Sequence, residues 1–111
     1  GTSVQSGNRP VLVISNDMAN RNSPIITVIP MSSKLKKLEL PVHIPVTVRD
    51  CEMLRDEGLE ESILLVEQIT TIDKMVLCNR LCRVTSTKKN QEIEAAVKKQ
   101  FAMQACTGRE A

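Results

Sequence analysis

Short apolar runs separated by polar segments dominate the chain, and this spacing predicts a β-rich fold. Nearly continuous runs of Val, Ile, Leu and Met occupy residues 11–14, 25–31 and 62–68, which are lengths typical of strands. Residues 40–48 alternate between apolar and polar positions between prolines, as expected of a half-exposed strand. The same reasoning predicts a final strand over residues 78–84.

The segments between these runs are polar and predict turns and loops. Gly, Asn, Asp and Ser are frequent in residues 1–8, predicted as a loop, and in residues 15–24, predicted as a turn or short helical loop. Lysines make residues 32–39 a basic loop, and residues 49–61 form a charged connector. Residues 73–77 predict a short helical turn. The chain therefore alternates short strands with polar connections.

Residues 87–104 have the periodicity of an amphipathic helix, with Thr87 as a suitable N-cap. The apolar stripe of this helix consists of Ile93, Ala96, Val97 and Phe101. We expect this stripe to pack on the sheet rather than to bind a cofactor. The patterns together predict an α+β, mostly β domain over residues 1–105, followed by a flexible C-terminal tail at residues 106–111.

Composition narrows the choice of partner. With 111 residues, 41% of them hydrophobic, the chain has the size of one domain with a modest core. Phe101 is the only aromatic residue, so modules that stack bases on aromatic faces are disfavoured. The net charge of +2 does not signal nucleic-acid binding, so any basic footprint has to be local. The sequence shows no bilayer-spanning apolar run and no secretory signal, and a cytoplasmic location is expected.

The four cysteines predict reduced, packed thiols rather than disulfides or a metal site. Cys78 and Cys82 do not have metal-knuckle spacing, and the single histidine, His43, is far away in sequence. Clusters of His, Asp or Glu with ligand spacing, phosphate-binding P-loops and serine-nucleophile elbows are all absent from the sequence. We therefore expect neither a metal nor a cofactor.

Polar residues at strand ends are the remaining candidates for chemistry. Arg9 precedes the first predicted strand, where its guanidinium could clamp a phosphate or simply stay solvated. The hydroxyl of Ser32 could bond a phosphate oxygen or close a turn. His43 fits a structural hydrogen bond better than catalysis, and Glu67 could pair with Arg9 or act as a catalytic carboxylate. Spacing alone leaves these alternatives open.

Taken together, the motifs of the chain resemble those of the MazF/PemK family of toxin endoribonucleases. The matching pieces, in the family's order, are G-x-x-x-Q-x-G-x-R-P at residues 1–10, V-L-V-I-S-N-D at 11–17, N-R-x-S-P at 20–24, S-S-K at 32–34, L-P-x-H at 40–43 and E-Q-I-x-T-I-D-K at 67–74. Several separate motifs spread over nearly the whole chain make the resemblance specific.

The resemblance implies a compact SH3-like barrel of the CcdB/MazF type with a C-terminal amphipathic helix, assembled as a homodimer. It implies metal-independent, sequence-selective cleavage of single-stranded RNA, leaving 2′,3′-cyclic phosphate and 5′-OH ends. It also implies a cognate antitoxin, with DNA binding only in the antitoxin complex. The family's catalytic arginine of R-P and the hydroxyl residue of its T-S-K-like loop carry over to Arg9 and Ser32. The RNA-contacting surface carries over to Lys34, Lys36, Lys37, Leu40, His43, Glu67 and Gln68.

Three departures from the family pattern accompany this match. Ser32 replaces the usual threonine, and Val42 and Thr70 stand where the family often has threonine and arginine. The R-G-D/E-I-Y-Y-A-D-L-like strand that precedes the opening motif in the family is not seen here, so we expect an unpaired sheet edge at that place. Two other functions stay open: a CcdB-like poison that binds gyrase, and a degenerate toxin that retains only antitoxin binding.

Overall fold

The computed structural model describes residues 2–6, 9–15, 17–33, 42–54 and 61–110, and every structural statement below concerns these residues. Within them the helices and strands follow the order β1 (Thr2–Ser6), β2 (Arg9–Val13), α1 (Asp17–Asn22), β3 (Ile25–Ser32), β4 (His43–Val46), β5 (Cys51–Met53), β6 (Ser62–Leu65), β7 (Thr70–Asp73), β8 (Leu77–Val84) and α2 (Thr87–Glu110). Short 3₁₀ turns span Val48–Asp50, Val66–Gln68 and Lys74–Val76.

The strands form one curled antiparallel sheet in the order β4-β6-β3-β2-β1-β8-β5, with β7 beside the first half of β3. Strand β3 has eight residues and pairs with two strands along the same edge. Its residues 25–28 pair with β7, and Met31 and Ser32 pair with β6. This curled sheet makes about half of a barrel, and α2 packs against it. The predicted fold class, mostly β with a C-terminal helix, is confirmed.

One face of the sheet, which we call the inner face, packs on α2. Strand residues point alternately to the two sides of a sheet, so every second residue of β2, β3 and β6 joins this core. Its buried members include Leu12, Ile29, Met31, Leu64, Ile93 and Ala96. The predicted stripe of α2 therefore packs on the sheet, although Phe101 at its end is 50% exposed.

The N-terminal residues differ from the prediction. Residues predicted as an opening loop form β1, which pairs with β2 on one side and with β8 on the other. Strand β2 is consequently paired on both sides, contrary to the open edge that we expected. The sequence did not reveal β1 because a sheet ladder uses backbone N–H and C=O groups, and its small polar residues carry a weak apolar pattern.

Other boundaries also shift. The predicted strand over residues 62–68 ends at Leu65 and continues as a 3₁₀ turn, while the predicted connector over residues 49–61 contains β5. Strand β7 was not predicted. The short helix after β2, the turn after β7 and the final strand agree with expectation.

Helix α2 begins at Thr87, as predicted, and runs to Glu110, beyond the predicted end at residue 104. Its cap is Ser86 rather than Thr87, because the Ser86 hydroxyl accepts a hydrogen bond of 3.1 Å from the Lys89 amide. The division into a domain of residues 1–105 and a flexible tail of residues 106–111 stays a prediction. Neither helix in the described part of the chain is long and apolar enough to cross a membrane.

Candidate active site

The two predicted catalytic residues lie at the same end of the β2–β3 pair. Arg9 is the first residue of β2 and is exposed, and Ser32 is the last residue of β3 and is half-buried. The two strands pair Val11 with Pro30, and the same register extended by two residues aligns Arg9 with Ser32. Because residues directly opposite each other in an antiparallel pair project to the same side, both belong to the face away from α2. We call this the outer face.

Neighbouring strands hold these two positions from either side. Arg9 pairs with Ser6 of β1, and Ser32 pairs with Ile63 of β6. In the described residues, the last pair of the β2–β3 ladder on the side of Arg9 and Ser32 is Val11 with Pro30. Pro10 and Pro30 have no N–H group to donate, which explains why the ladder stops there. Arg9 and Ser32 therefore lie just beyond the last paired residues of this ladder in the described part of the chain.

A short contact joins His43 to Glu67. The Nε2 atom of His43 lies 2.7 Å from Oε1 of Glu67, and the two side chains are 3% and 32% exposed. His43 begins β4, whereas Glu67 and the exposed Gln68 belong to the 3₁₀ turn after β6. The hydrogen bond expected of His43 is confirmed. The partner of Glu67 is thus His43, and the contact fastens the turn that presents Gln68.

Four of the predicted RNA-contacting residues lie outside the described residues. They are Lys34, Lys36, Lys37 and Leu40.

A basic pocket of about 910 Å³ opens on the outer face beside β1 and was not anticipated from the sequence. Its cationic lining residues are Arg21, Lys74, Arg80 and Arg83. Its floor is apolar and belongs to a second core cluster that includes Ile26 of β3. The low net charge meant that any basic surface for nucleic acid had to be local, and this pocket is one such surface.

Two cysteines lie side by side at the β5–β8 edge. Cys51 is half-buried, Cys82 is buried, and both are free thiols, as predicted. Burial and the hydrogen bond with the Cys82 thiol raise the pKa of Cys51 to about 12. A thiolate is the nucleophilic form of cysteine, so this environment keeps Cys51 unreactive near neutrality. The side chains of Cys78 and Cys106 are not among those described.

Comparisons with known proteins agree with the motifs. The profile of the "PemK-like, MazF-like toxin of type II toxin-antitoxin system" family matches residues 2–101. The endoribonuclease EndoA of Bacillus subtilis is 37% identical over 93 residues, which cover 84% of this chain and 76% of that protein. The chain therefore belongs to the PemK-like, MazF-like toxin family.

Solved structures support the fold. The Mycobacterium tuberculosis toxin MazF-mt6 superposes with a TM-score of 0.72 at 16% identity, covering 91% of this chain and 95% of that one. A mycobacterial endoribonuclease in complex with its cognate antitoxin gives a TM-score of 0.66 at 18% identity, with coverages of 91% and 89%. At this level of identity the likeness concerns the fold alone.

Proposed function

We propose that this protein is the toxin of a type II toxin–antitoxin system and cleaves single-stranded RNA, chiefly mRNA, in the cytoplasm. The observation that supports the proposal is that Arg9 begins β2 and Ser32 ends β3, just beyond the last described pair of these strands, Val11 and Pro30. Family membership selects RNA as the substrate class, and the two side chains provide what phosphate chemistry needs.

The reaction suited to these groups is an internal transesterification. The ribose 2′ hydroxyl loses its proton and attacks the adjacent phosphorus, and a new O–P bond forms while the bond from phosphorus to the 5′ oxygen breaks. The departing 5′ oxygen gains a proton, so the reaction is balanced without a net change in protons. The products are a 2′,3′-cyclic phosphate and a 5′-OH. Negative charge gathers on the phosphoryl oxygens in the transition state, so fixed hydrogen-bond donors that point at those oxygens accelerate the step most.

Arg9 and Ser32 are such donors. A guanidinium offers a rigid fork of N–H groups and keeps its charge near neutrality, which suits it to two oxygens of one phosphate. From across the strand pair, Ser32 adds a hydroxyl. We assign Arg9 to stabilisation of the charge on the phosphoryl oxygens rather than to the role of general base.

The rest of the RNA surface surrounds this centre. The His43–Glu67 contact holds the turn on which Gln68 is exposed, so Gln68 can meet a base or a sugar beside the cleaved bond. The lysines of residues 34–37 and Leu40 complete the surface in this proposal. Phosphate contacts by lysine and arginine make binding sensitive to salt.

We further propose a homodimer that a cognate antitoxin neutralises, with DNA binding confined to the toxin–antitoxin complex. The complex formed by the structurally similar mycobacterial endoribonuclease supports the antitoxin. The match to the PemK-like, MazF-like family disfavours a CcdB-like gyrase poison. A degenerate toxin differs from the proposal in a measurable way: it binds its antitoxin but leaves RNA intact.

The test is cleavage of single-stranded RNA in EDTA by the wild type, Arg9→Ala, Ser32→Ala and Ser32→Thr. Loss of one transition-state donor typically costs about 10²–10³ in rate, and we expect such losses for both alanine variants. Ser32→Thr keeps the hydroxyl and should stay within a few-fold of wild type. End-group analysis should find cyclic phosphates on the upstream fragments.

The matched control is Arg49→Ala, which removes an exposed arginine on the 3₁₀ turn before β5 and should cleave normally. Intact RNA with the wild-type chain would contradict the proposal, as would equal activity of Arg9→Ala and the wild type.

A further inference from the structure

The basic pocket on the outer face is lined by more positive charge than the net charge of the whole chain. Four cationic side chains line it in a protein whose net charge is +2, and no Asp or Glu is among its described lining residues. Its polar uncharged residues are Thr2, Ser15 and Asn20. Glu52 of β5 lies opposite Arg83 but is not among the described lining residues. Cations clustered around a concave site raise the local concentration of anions. The pocket is therefore built for an anionic ligand.

The three arginines are exposed, and none of them has an ion-pair partner in the described part of the chain. Lys74 differs, because its ammonium donates to the backbone carbonyl of Asn20 and is held in place at the pocket wall. The site thus combines one fixed cation with three exposed arginines that have no ion-pair partner among the described residues. Guanidinium forks match the paired oxygens of a phosphate.

A β-bulge brings Arg80 and Arg83 to the same side. Arg83 pairs with Thr2, and Arg80 pairs with Val4. An advance of two residues along β1 is therefore matched by an advance of three residues along β8. Leu81 is the extra residue, and its carbonyl accepts a hydrogen bond of 3.0 Å from the Leu54 amide. In a regular strand, residues three apart project to opposite faces. The bulge therefore directs both guanidinium groups into one pocket.

This pocket shares its sheet face with the candidate active site. Strand β1 joins the two, since Ser6 pairs with Arg9 and Val4 pairs with Arg80. With a strand spacing of about 4.8 Å and a rise of about 3.4 Å, Arg80 and Arg83 lie roughly 12 and 17 Å from Arg9 along the sheet. An extended RNA strand covers such distances in a few nucleotides.

We propose that the basic pocket binds the backbone phosphates of the RNA strand that is cleaved at Arg9 and Ser32, a few nucleotides away from the cleaved bond. This inference rests on the proposed function and adds to it a second, sequence-independent anchor on the same substrate. An anchor of this kind holds the strand in the groove but takes no part in bond breaking. It lowers KM and leaves kcat unchanged.

The experiment compares the wild type with the double variant Arg80→Gln/Arg83→Gln. The probe is a single-stranded RNA pool of random sequence whose 2′ hydroxyls are methylated, so that it binds without being cleaved. Anisotropy titrations over a range of NaCl concentrations give the affinity and its salt dependence. Two lost phosphate contacts should reduce the magnitude of the negative slope of log K against log salt by about 1.4 and weaken binding about tenfold or more.

The control is the double variant Arg49→Gln/Lys98→Gln, which removes the same charge from exposed positions that do not line the pocket. It should keep the wild-type slope. An equal fall in slope for both double variants would overturn the proposal, because the effect would then belong to overall charge. Unchanged RNA binding together with lost binding of poly-L-glutamate would also overturn it and assign the pocket to an acidic protein segment.

Cleavage of unmodified RNA separates this proposal from the proposed function. With the pocket variant, KM should rise while kcat stays the same. A wild-type chain that binds the pool through the pocket but cuts no RNA would refute the proposed cleavage and retain the pocket. A chain that cuts RNA normally, with an unchanged slope in the pocket variant, would refute the pocket alone.

Discussion

The inner and outer faces of the sheet are formed by the same strands and differ in how charge is distributed on them. On β2, Leu12 points to the inner face, whereas Arg9 lies on the outer one. The buried cluster of the inner face consists of apolar residues and is covered by α2. The outer face has a smaller apolar centre around Val28, with arginines at its margins.

Whether a residue contributes to stability or to the proposed function therefore depends on the sheet face to which its side chain points, and not on its position along the chain. A side chain and its immediate neighbour on one strand have different roles, because the first packs in the core and the second, in the proposed function, faces the substrate. Substitutions on the inner face should therefore change the free energy of unfolding, and substitutions on the outer face should change binding and rate. Three predictions test this separation.

The largest effect is expected for Leu64→Ala on the inner face. Leu64 is fully buried and lies opposite Met31 of β3, so its truncation leaves a cavity in the main core. We expect the free energy of unfolding to fall by about 2–5 kcal/mol in urea titrations, with kcat per folded molecule unchanged. The matched control is Met75→Ala, since Met75 is 88% exposed and should change stability by less than about 0.5 kcal/mol. A loss of kcat without a loss of stability would break the separation.

An intermediate effect is expected for Glu67→Ala. This change removes the carboxylate that lies 2.7 Å from the His43 ring and loosens the turn bearing Gln68. Stability should fall by about 1 kcal/mol, and KM for RNA should rise several-fold while kcat changes little. Glu94→Ala breaks an exposed pair with Lys98 on α2 and should do neither, because such pairs contribute little. Equal effects of the two substitutions would show that Glu67 acts only through overall charge.

The last prediction concerns pH and the Cys51 thiol beside the inner core. Its pKa is raised from 9.0 to about 12, so the folded state favours the neutral thiol. The stabilisation is complete below the pKa of the unfolded chain and is lost as the pH rises from about 9 toward 12. Urea titrations at pH 8 and pH 10.5 (about one and a half units above the unfolded pKa) should show this decrease in the wild type. The decrease should be smaller in Cys51→Ala, and an equal slope in both proteins would remove Cys51 as its source.

Some of the fold followed directly from local patterns. The apolar runs located β2, β3, β6 and most of β8, and the helical stripe located α2. Strands β1, β5 and β7 escaped because they are short or polar and are held by backbone pairing with distant strands. Ser86 was missed as the cap of α2 because the neighbouring Thr87 has equally suitable chemistry, and only the backbone geometry separates them.

The candidate site divides in the same way. Arg9 and Ser32 could be named from the motifs around them, but nothing local to either residue aligns them, and their common position depends on the register of β2 and β3. The sequence also allowed Glu67 to pair with Arg9, whereas the 3₁₀ turn after β6 brings it to His43.

The sequence by itself determined the fold class, the family and the identity of the residues best suited to phosphate chemistry, because apolar periodicity and motif order are local properties of a chain. Only the tertiary structure decided which of those residues meet. Arg80 and Arg83 show the physical reason: their spacing of three predicts opposite faces, and the bulge at Leu81, set by pairing with β1, turns both toward one pocket. Such pairing depends on a strand more than seventy residues away, and no local pattern contains it.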